Sequence, residues 1–194
     1  GSPPVRLGEG YARSLSPDGK WVLAGHPAAP GTLTLLPTGA GDPRPLKIAP
    51  VEAVGGTDWF ADSRRIVFDG REPGKPLRCY VRSIEGDEKP QPVTGEHTAA
   101  CRVSPDGKLV LSTLPVRTGS PGPFYALHPL EGGEPRPVPE VLAGEAVIQW
   151  SADGRLLYIV RIEETSAKIF RLELATGQRK HWKEIALADR AGTE

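Results

Sequence analysis

Ser104-Pro105-Asp106-Gly107-Lys108 is written, with small changes, four times along this chain. It stands earlier as Ser16-Pro17-Asp18-Gly19-Lys20 and later as Ser151-Ala152-Asp153-Gly154-Arg155. A degenerate copy is Phe60-Ala61-Asp62-Ser63-Arg64. The copies start at positions 16, 60, 104 and 151, so they are spaced 44, 44 and 47 residues apart. A period of this size, with several short strands in each unit, indicates the blades of a propeller. Within the motif, proline presets φ at the first corner of a tight turn. Asp accepts hydrogen bonds from nearby amides, and glycine permits positive φ. Asp18, Gly19, Asp62, Asp106, Gly107, Asp153 and Gly154 are therefore read as turn residues, not as acids for catalysis.

The flanks agree with that reading. An apolar residue precedes the motif in each copy: Leu15, Trp59, Val103 and Trp150. Short apolar runs follow it: Trp21 to Ala24, Ile66 to Phe68, Leu109 to Leu111 and Leu156 to Ile159. They do not alternate with polar residues, which suits a strand covered on both faces. Third strands are expected at Leu33 to Leu36, Arg78 to Val81, Phe124 to Leu127 and Ile169 to Leu172. Fourth strands are expected at Pro43 to Ile48, Gln91 to Thr94, Arg136 to Pro139 and Arg179 to Glu184. The first three of these contain Pro45, Pro92 and Pro137, and proline is tolerated mainly on an edge strand. The loops Gly25 to Gly31, Gly70 to Pro76, Arg117 to Pro123 and Glu163 to Ala167 vary as recognition loops do.

The fold class is thus all-β, a β-propeller of four four-stranded blades. The blades run over about 10–48, 54–95, 98–140 and 145–185, within a single domain spanning 3–185. Val5 precedes Arg13 by eight residues, as Val93 precedes Cys101, so Pro4 to Leu7 is expected to be an outer strand of a neighbouring blade. Gly1-Ser2 reads as a tag remnant, methionine is absent, and 186–194 is expected to be a flexible tail. Three closures stay open: a partial ring, a small closed ring, or half of an eight-bladed ring made by a homodimer.

Composition narrows the function. Lys plus Arg number 24 and Asp plus Glu number 24 among 194 residues. Zero net charge argues against a general nucleic-acid binder and gives no pull toward an anionic membrane. No run approaches the length needed to span a bilayer, and no signal peptide opens the chain. Gly (23) and Pro (21) are abundant, as a turn-rich chain requires.

The inner-strand tails followed by Ser-Pro-Asp-Gly-Lys resemble the Pro-Asp type of WD-repeat-like propeller, the repeat of the TolB C-terminal domain. The resemblance covers about residues 4–185 and speaks for fold more than for function. A narrower likeness lies in Trp182-Lys183-Glu184-Ile185 and Ala188-Asp189-Arg190-Ala191-Gly192. This stretch is similar to a segment of propellers that lie C-terminal to bacterial receptor-type serine/threonine kinases. The resemblance implies a sensory or protein-interaction domain of a larger protein, in an extracytoplasmic or periplasmic setting. No kinase motif is present in the chain itself.

A search for chemistry yields little. There is no Gly-x-Ser-x-Gly elbow and no His-Glu-x-x-His. His26, His97, His128 and His181 are scattered over separate blades and are read as exposed loop or edge residues. Cys79 and Cys101 fit neither a zinc nor a redox spacing. They pair only if the fold brings them together, and the preferred reading is two small apolar side chains in strands. No cofactor, metal or catalytic residue is expected.

Ser14, Asp58, Arg102 and Gln149 each lie two positions before a turn. They are either a polar ring lining a central channel, and so a binding site, or a set in which Asp58 and Arg102 satisfy each other. Tyr11, Phe124, Tyr125 and Trp182 are candidate partner-facing aromatics, set against the preferred reading that aromatics at these spacings are inter-blade core. Of these, Trp182 with His181 is preferred because it lies on an edge strand. The expected function is a non-catalytic module binding a protein or small ligand. An accessory propeller that gates a hydrolase is the alternative, and a free-standing propeller hydrolase or lactonase the next.

Overall fold

The computed structural model describes residues 6–114 and 124–186. Each repeat folds into four antiparallel strands; those of the first two repeats are joined into one eight-stranded sheet by a single pairing, Gly31 with Ala53, and no helix occurs among the described residues. Blade 1 comprises β1 (Tyr11–Leu15), β2 (Trp21–His26), β3 (Ala29–Pro37) and β4 (Arg44–Leu46). Blade 2 comprises β5 (Glu52–Trp59), β6 (Arg65–Arg71), β7 (Arg78–Ser83) and β8 (Gln91–Pro92). Blade 3 comprises β9 (Ala99–Val103), β10 (Leu109–Leu114), β11 (Phe124–Pro129) and β12 (Arg136–Val138). Blade 4 comprises β13 (Glu145–Trp150), β14 (Leu156–Ile162), β15 (Ser166–Glu173) and β16 (Arg179–Ala186).

Alternation along the second strands decides which way each side chain faces. Leu23, Val67 and Leu111 hold the same repeat position, are fully buried, and belong to three successive seams. Leu23 meets Ile66, Phe68 and Tyr80 between blades 1 and 2. Val67 meets Val103 and Val110 between blades 2 and 3. Leu111 meets Trp150, Leu157 and Ile159 between blades 3 and 4. Each such side chain contributes about 2 kcal/mol on burial. Among the described residues no core cluster joins blade 4 back to blade 1, so the chain is a partial β-propeller, an open arc of four blades.

Several expectations are corrected. Arg6 and Leu7 form no strand, and Pro4 lies outside the described residues. The segment instead runs over Leu36: a Cβ added at Gly8 would stand 2.9 Å from Leu36 Cδ2. The first loop, read as Gly25 to Gly31, shrinks to Pro27 and Ala28, because β2 and β3 continue through its ends. The loop Arg117 to Pro123 and the tail beyond Ala186 lie outside the described residues. Cys79 and Cys101 are joined in a disulfide across the seam between blades 2 and 3, with their Cα atoms 5.9 Å apart. His128 is buried at 5 % exposure, so it is not the surface residue expected. Of the four candidate aromatics, Tyr125 is buried while Tyr11, Phe124 and Trp182 are exposed.

Candidate functional site

The turn residues fix the ends of the inner strands. Asp18 Oδ1 accepts from Ser16 Oγ at 2.6 Å and from the Lys20 amide at 3.1 Å. Asp106 does the same with Ser104 at 2.6 Å and Lys108 at 3.1 Å, and Asp153 with Ser151 at 2.5 Å and Arg155 at 3.1 Å. The serine hydroxyl first, then the amide, holds these three carboxyls below the usual range. Asp62 accepts from the Arg64 and Arg65 amides and from Arg65 Nε at 2.7 Å. Partial burial raises its pKa, but these bonds outweigh it and the net direction is down. Gly19, Gly107 and Gly154 take φ near 70°, and Ser63 takes 54° in the copy that lacks glycine. Ser63 Oγ accepts from the Asp18 amide at 3.0 Å, which ties the turns of blades 1 and 2 together.

The four inner-strand polar residues do not share one fate. Ser14 Oγ lies 2.7 Å from Thr57 Oγ1, across the seam between blades 1 and 2. Asp58 accepts from the Trp59 amide at 2.9 Å and, across the next seam, from the Val103 amide at 3.1 Å. Burial pushes the Asp58 carboxyl up, against the pull of those amides and of Arg102. Arg102 makes no ion pair with Asp58; its Nη1 donates to the Cys101 carbonyl at 3.2 Å. Gln149 is exposed. Asp58, Arg102 and Gln149 do meet around one cavity of about 440 Å³ on the inner face, with Trp59 and Trp150 in its wall. Pro17, Ala61, Pro105 and Ala152, one from each turn, line it as well. Arg102 also lines a neighbouring cavity with Tyr11, Arg13 and Thr57.

Sequence reasoning missed Asp69. It is buried at 4 % exposure on β6 and reaches across to blade 3. Its Oδ2 accepts from the Ala100 amide at 2.9 Å and the Gly56 amide at 3.2 Å, and its Oδ1 from the Cys101 amide at 2.9 Å. A Cβ on Gly55 would stand 2.4 Å from Asp69 Oδ2, so the absence of a side chain at Gly55 makes the space the carboxylate occupies. The available signals were a charge directly after the covered run Ile66 to Phe68 and two adjacent glycines in an inner strand.

Asp69, Cys79 and Cys101 place three ligand-type atoms within 4.8 Å of one another. Both sulfurs are in the disulfide and offer no thiolate, while the carboxylate already accepts three amides. Ser112 Oγ lies 2.9 Å from His128 Nε2, a pairing of nucleophile and base types. Ser112 is fully buried, so no substrate reaches it, and burial lowers the His128 pKa.

No protein-family model and no curated protein matches the sequence. Among solved structures, a protein assigned as TolB from Agrobacterium tumefaciens aligns with TM-score 0.70 at 18% identity, over 88% of this chain and 60% of its own. Oligogalacturonate lyase from Vibrio parahaemolyticus aligns with TM-score 0.67 at 14% identity, over 93% of this chain and 56% of its own. The tricorn protease aligns with TM-score 0.60 at 14% identity, over 93% of this chain and 23% of its own. The chain thus spans three fifths or less of each. The class is a partial β-propeller. Its particular fold is TolB-like, a likeness of architecture shared by proteins of different chemistry.

Proposed function

We propose that this chain is a non-catalytic binding module of a larger bacterial protein, taking a protein or small-ligand partner at the inner cavity. The observation that carries the reading is how the acids are used. Asp18, Asp62, Asp106 and Asp153 are occupied by turns, and Asp58 and Asp69 by amides across a seam. Arg102 and Gln149 are left to face the cavity with the two tryptophans. That set suits recognition of an acidic or carbonyl-rich group by a guanidinium and an amide, and supplies no acid–base pair.

The finer reading is a sensory or interaction domain attached to a receptor-type kinase, resting on the resemblance of Trp182 to Ile185 and the residues after it. The buried disulfide supports an extracytoplasmic setting, since such bonds persist in oxidising compartments. The open arc is compatible with a homodimer that completes a larger ring. A second reading, a gating propeller of a hydrolase, is supported by the likeness to the tricorn protease.

The test is a thermal-shift screen of the chain against small organic acids, sugars and short peptides, alongside turnover assays on ester, lactone and glycoside substrates with added divalent metal. The expected result is stabilisation by one ligand class, lost in Arg102→Ala, with no turnover. Turnover that survives repurification would overturn the reading.

A further inference from the structure

The outer strands of the four blades are not alike. β4, β8 and β12 have three, two and three residues, and each contains a proline. Short length and proline are the usual devices that keep a sheet edge from pairing with another chain. β16 has eight residues and no proline, and among the described residues no strand pairs with its outer side. It therefore presents a long row of free backbone donors and acceptors.

Its side chains point to one kind of partner. Lys180 and Lys183 on β16 and Arg171 on β15 form no ion pair among the described residues, and Lys180 and Lys183 are exposed. Arg179 is already engaged by Glu145, and Glu184 accepts from Ser166 Oγ at 2.8 Å. Trp182 is 45 % exposed and packs on Tyr158, ring centroids 5.0 Å apart, with the Arg171 guanidinium 4.5 Å from its ring. A cavity of about 330 Å³ opens beside the strand, lined by Arg171, Lys180, His181 and Trp182 with Glu173 as its one acid. Arg171 also breaks the repeat. Leu35, Val81 and Leu127 pair in register with Leu23, Val67 and Leu111, whereas Arg171 pairs with Tyr158. The position that is apolar in three blades is cationic in the fourth.

We propose that β16 is a docking edge for an extended, acidic segment of a partner protein, which adds to blade 4 as a fifth strand. Backbone pairing supplies the register. Acidic side chains on one face of the added strand meet Lys180, Lys183 and Arg171, and one of them enters the cavity beside Trp182. This site is separate from the inner cavity.

The experiment uses two eight-residue peptides, one alternating Thr and Glu and the other alternating Thr and Lys. Binding to the full chain is measured by calorimetry at two salt concentrations, with hydrogen exchange to locate it. The acidic peptide is expected to bind, to slow exchange within residues 179–186, and to weaken as salt rises. Lys180→Glu combined with Lys183→Glu should weaken it by about tenfold or more and favour the basic peptide instead. Both lysines are exposed, so that variant should melt as the parent does. Trp182→Ala is a second variant that should weaken binding without altering the preference for acid. Failure of the acidic peptide to bind, equal binding of both peptides, or protection on the inner strands would overturn the proposal.

Discussion

The seam between blades 2 and 3 and the seam between blades 3 and 4 hold equivalent sheets together by different means. Between blades 3 and 4 the contact is almost wholly apolar: Leu111, Tyr125 and Leu127 face Trp150, Leu157, Ile159 and Leu172. Its polar ties among the described residues are few: the Val147 amide donates to Tyr125 Oη at 3.3 Å, and at the outer end Arg179 Nη1 donates to the Glu140 carbonyl at 3.1 Å. Between blades 2 and 3 the apolar core is smaller, and three specific ties replace area. These are the Cys79–Cys101 disulfide, Asp69 accepting the Ala100 and Cys101 amides, and Asp58 accepting the Val103 amide. The lesson is one of tolerance. An apolar seam depends on summed area and repacks after small changes. A polar seam depends on a few groups, each costly to orphan.

The sharpest way to break this contrast is Asp69→Ala. It strands the amides of Gly56, Ala100 and Cys101, and about 4 kcal/mol should be lost. A denaturant titration reads the loss, and a shift under 1 kcal/mol would mean that water replaces the carboxylate without penalty. Next is the disulfide. Cys79→Ala with Cys101→Ala opens a loop closed over 22 residues and should cost about 3 kcal/mol in the same titration. On the other seam Tyr125→Phe removes only one hydroxyl acceptor, and about 1 kcal/mol is expected.

The smallest expected effect is in the pH profile. His128 sits buried in blade 3, and burial lowers its pKa, so the folded state holds fewer protons there than the unfolded state. Its contribution is complete above the unfolded value near 6.5 and is lost as pH falls through the folded value. At Glu145 burial would raise the pKa, but Arg179, the Leu142 amide and Arg161 outweigh it. That carboxylate's contribution is lost at lower pH, below the usual glutamate range. Melting temperatures from pH 7.5 to 3.5 should therefore fall in two stages, and His128→Gln should remove only the first.

How much of this was readable in the sequence follows the same division. The turns and the covered strands were legible because they rest on local chemistry: Ser-Pro-Asp-Gly and an apolar run are complete statements within ten residues. The seam between blades 3 and 4 was implied by those runs. The ties between blades 2 and 3 were not, because they depend on how two sheets lie side by side. Asp69 meets Cys101 across 32 residues, and Cys79 reaches Cys101 through a register that no spacing rule reports. The polar positions Ser14, Asp58, Arg102 and Gln149 were found as a set, but their separate destinations were not. Position in the repeat is shared, whereas the neighbour that each side chain meets is not. The N-terminal segment misled because a matching spacing to Val93 says nothing of which surface the chain meets, and Gly8 lies against Leu36.

We infer that the seam between blades 2 and 3, tied by the disulfide, Asp69 and Asp58, is the fixed point of the arc. Native-state hydrogen exchange on the oxidised chain tests it most directly. The amides of Ala100, Cys101 and Val103 should exchange only with global unfolding, well after those of β16. Exchange of those three amides together with β16, or ahead of it, would mean that this seam is not the fixed point.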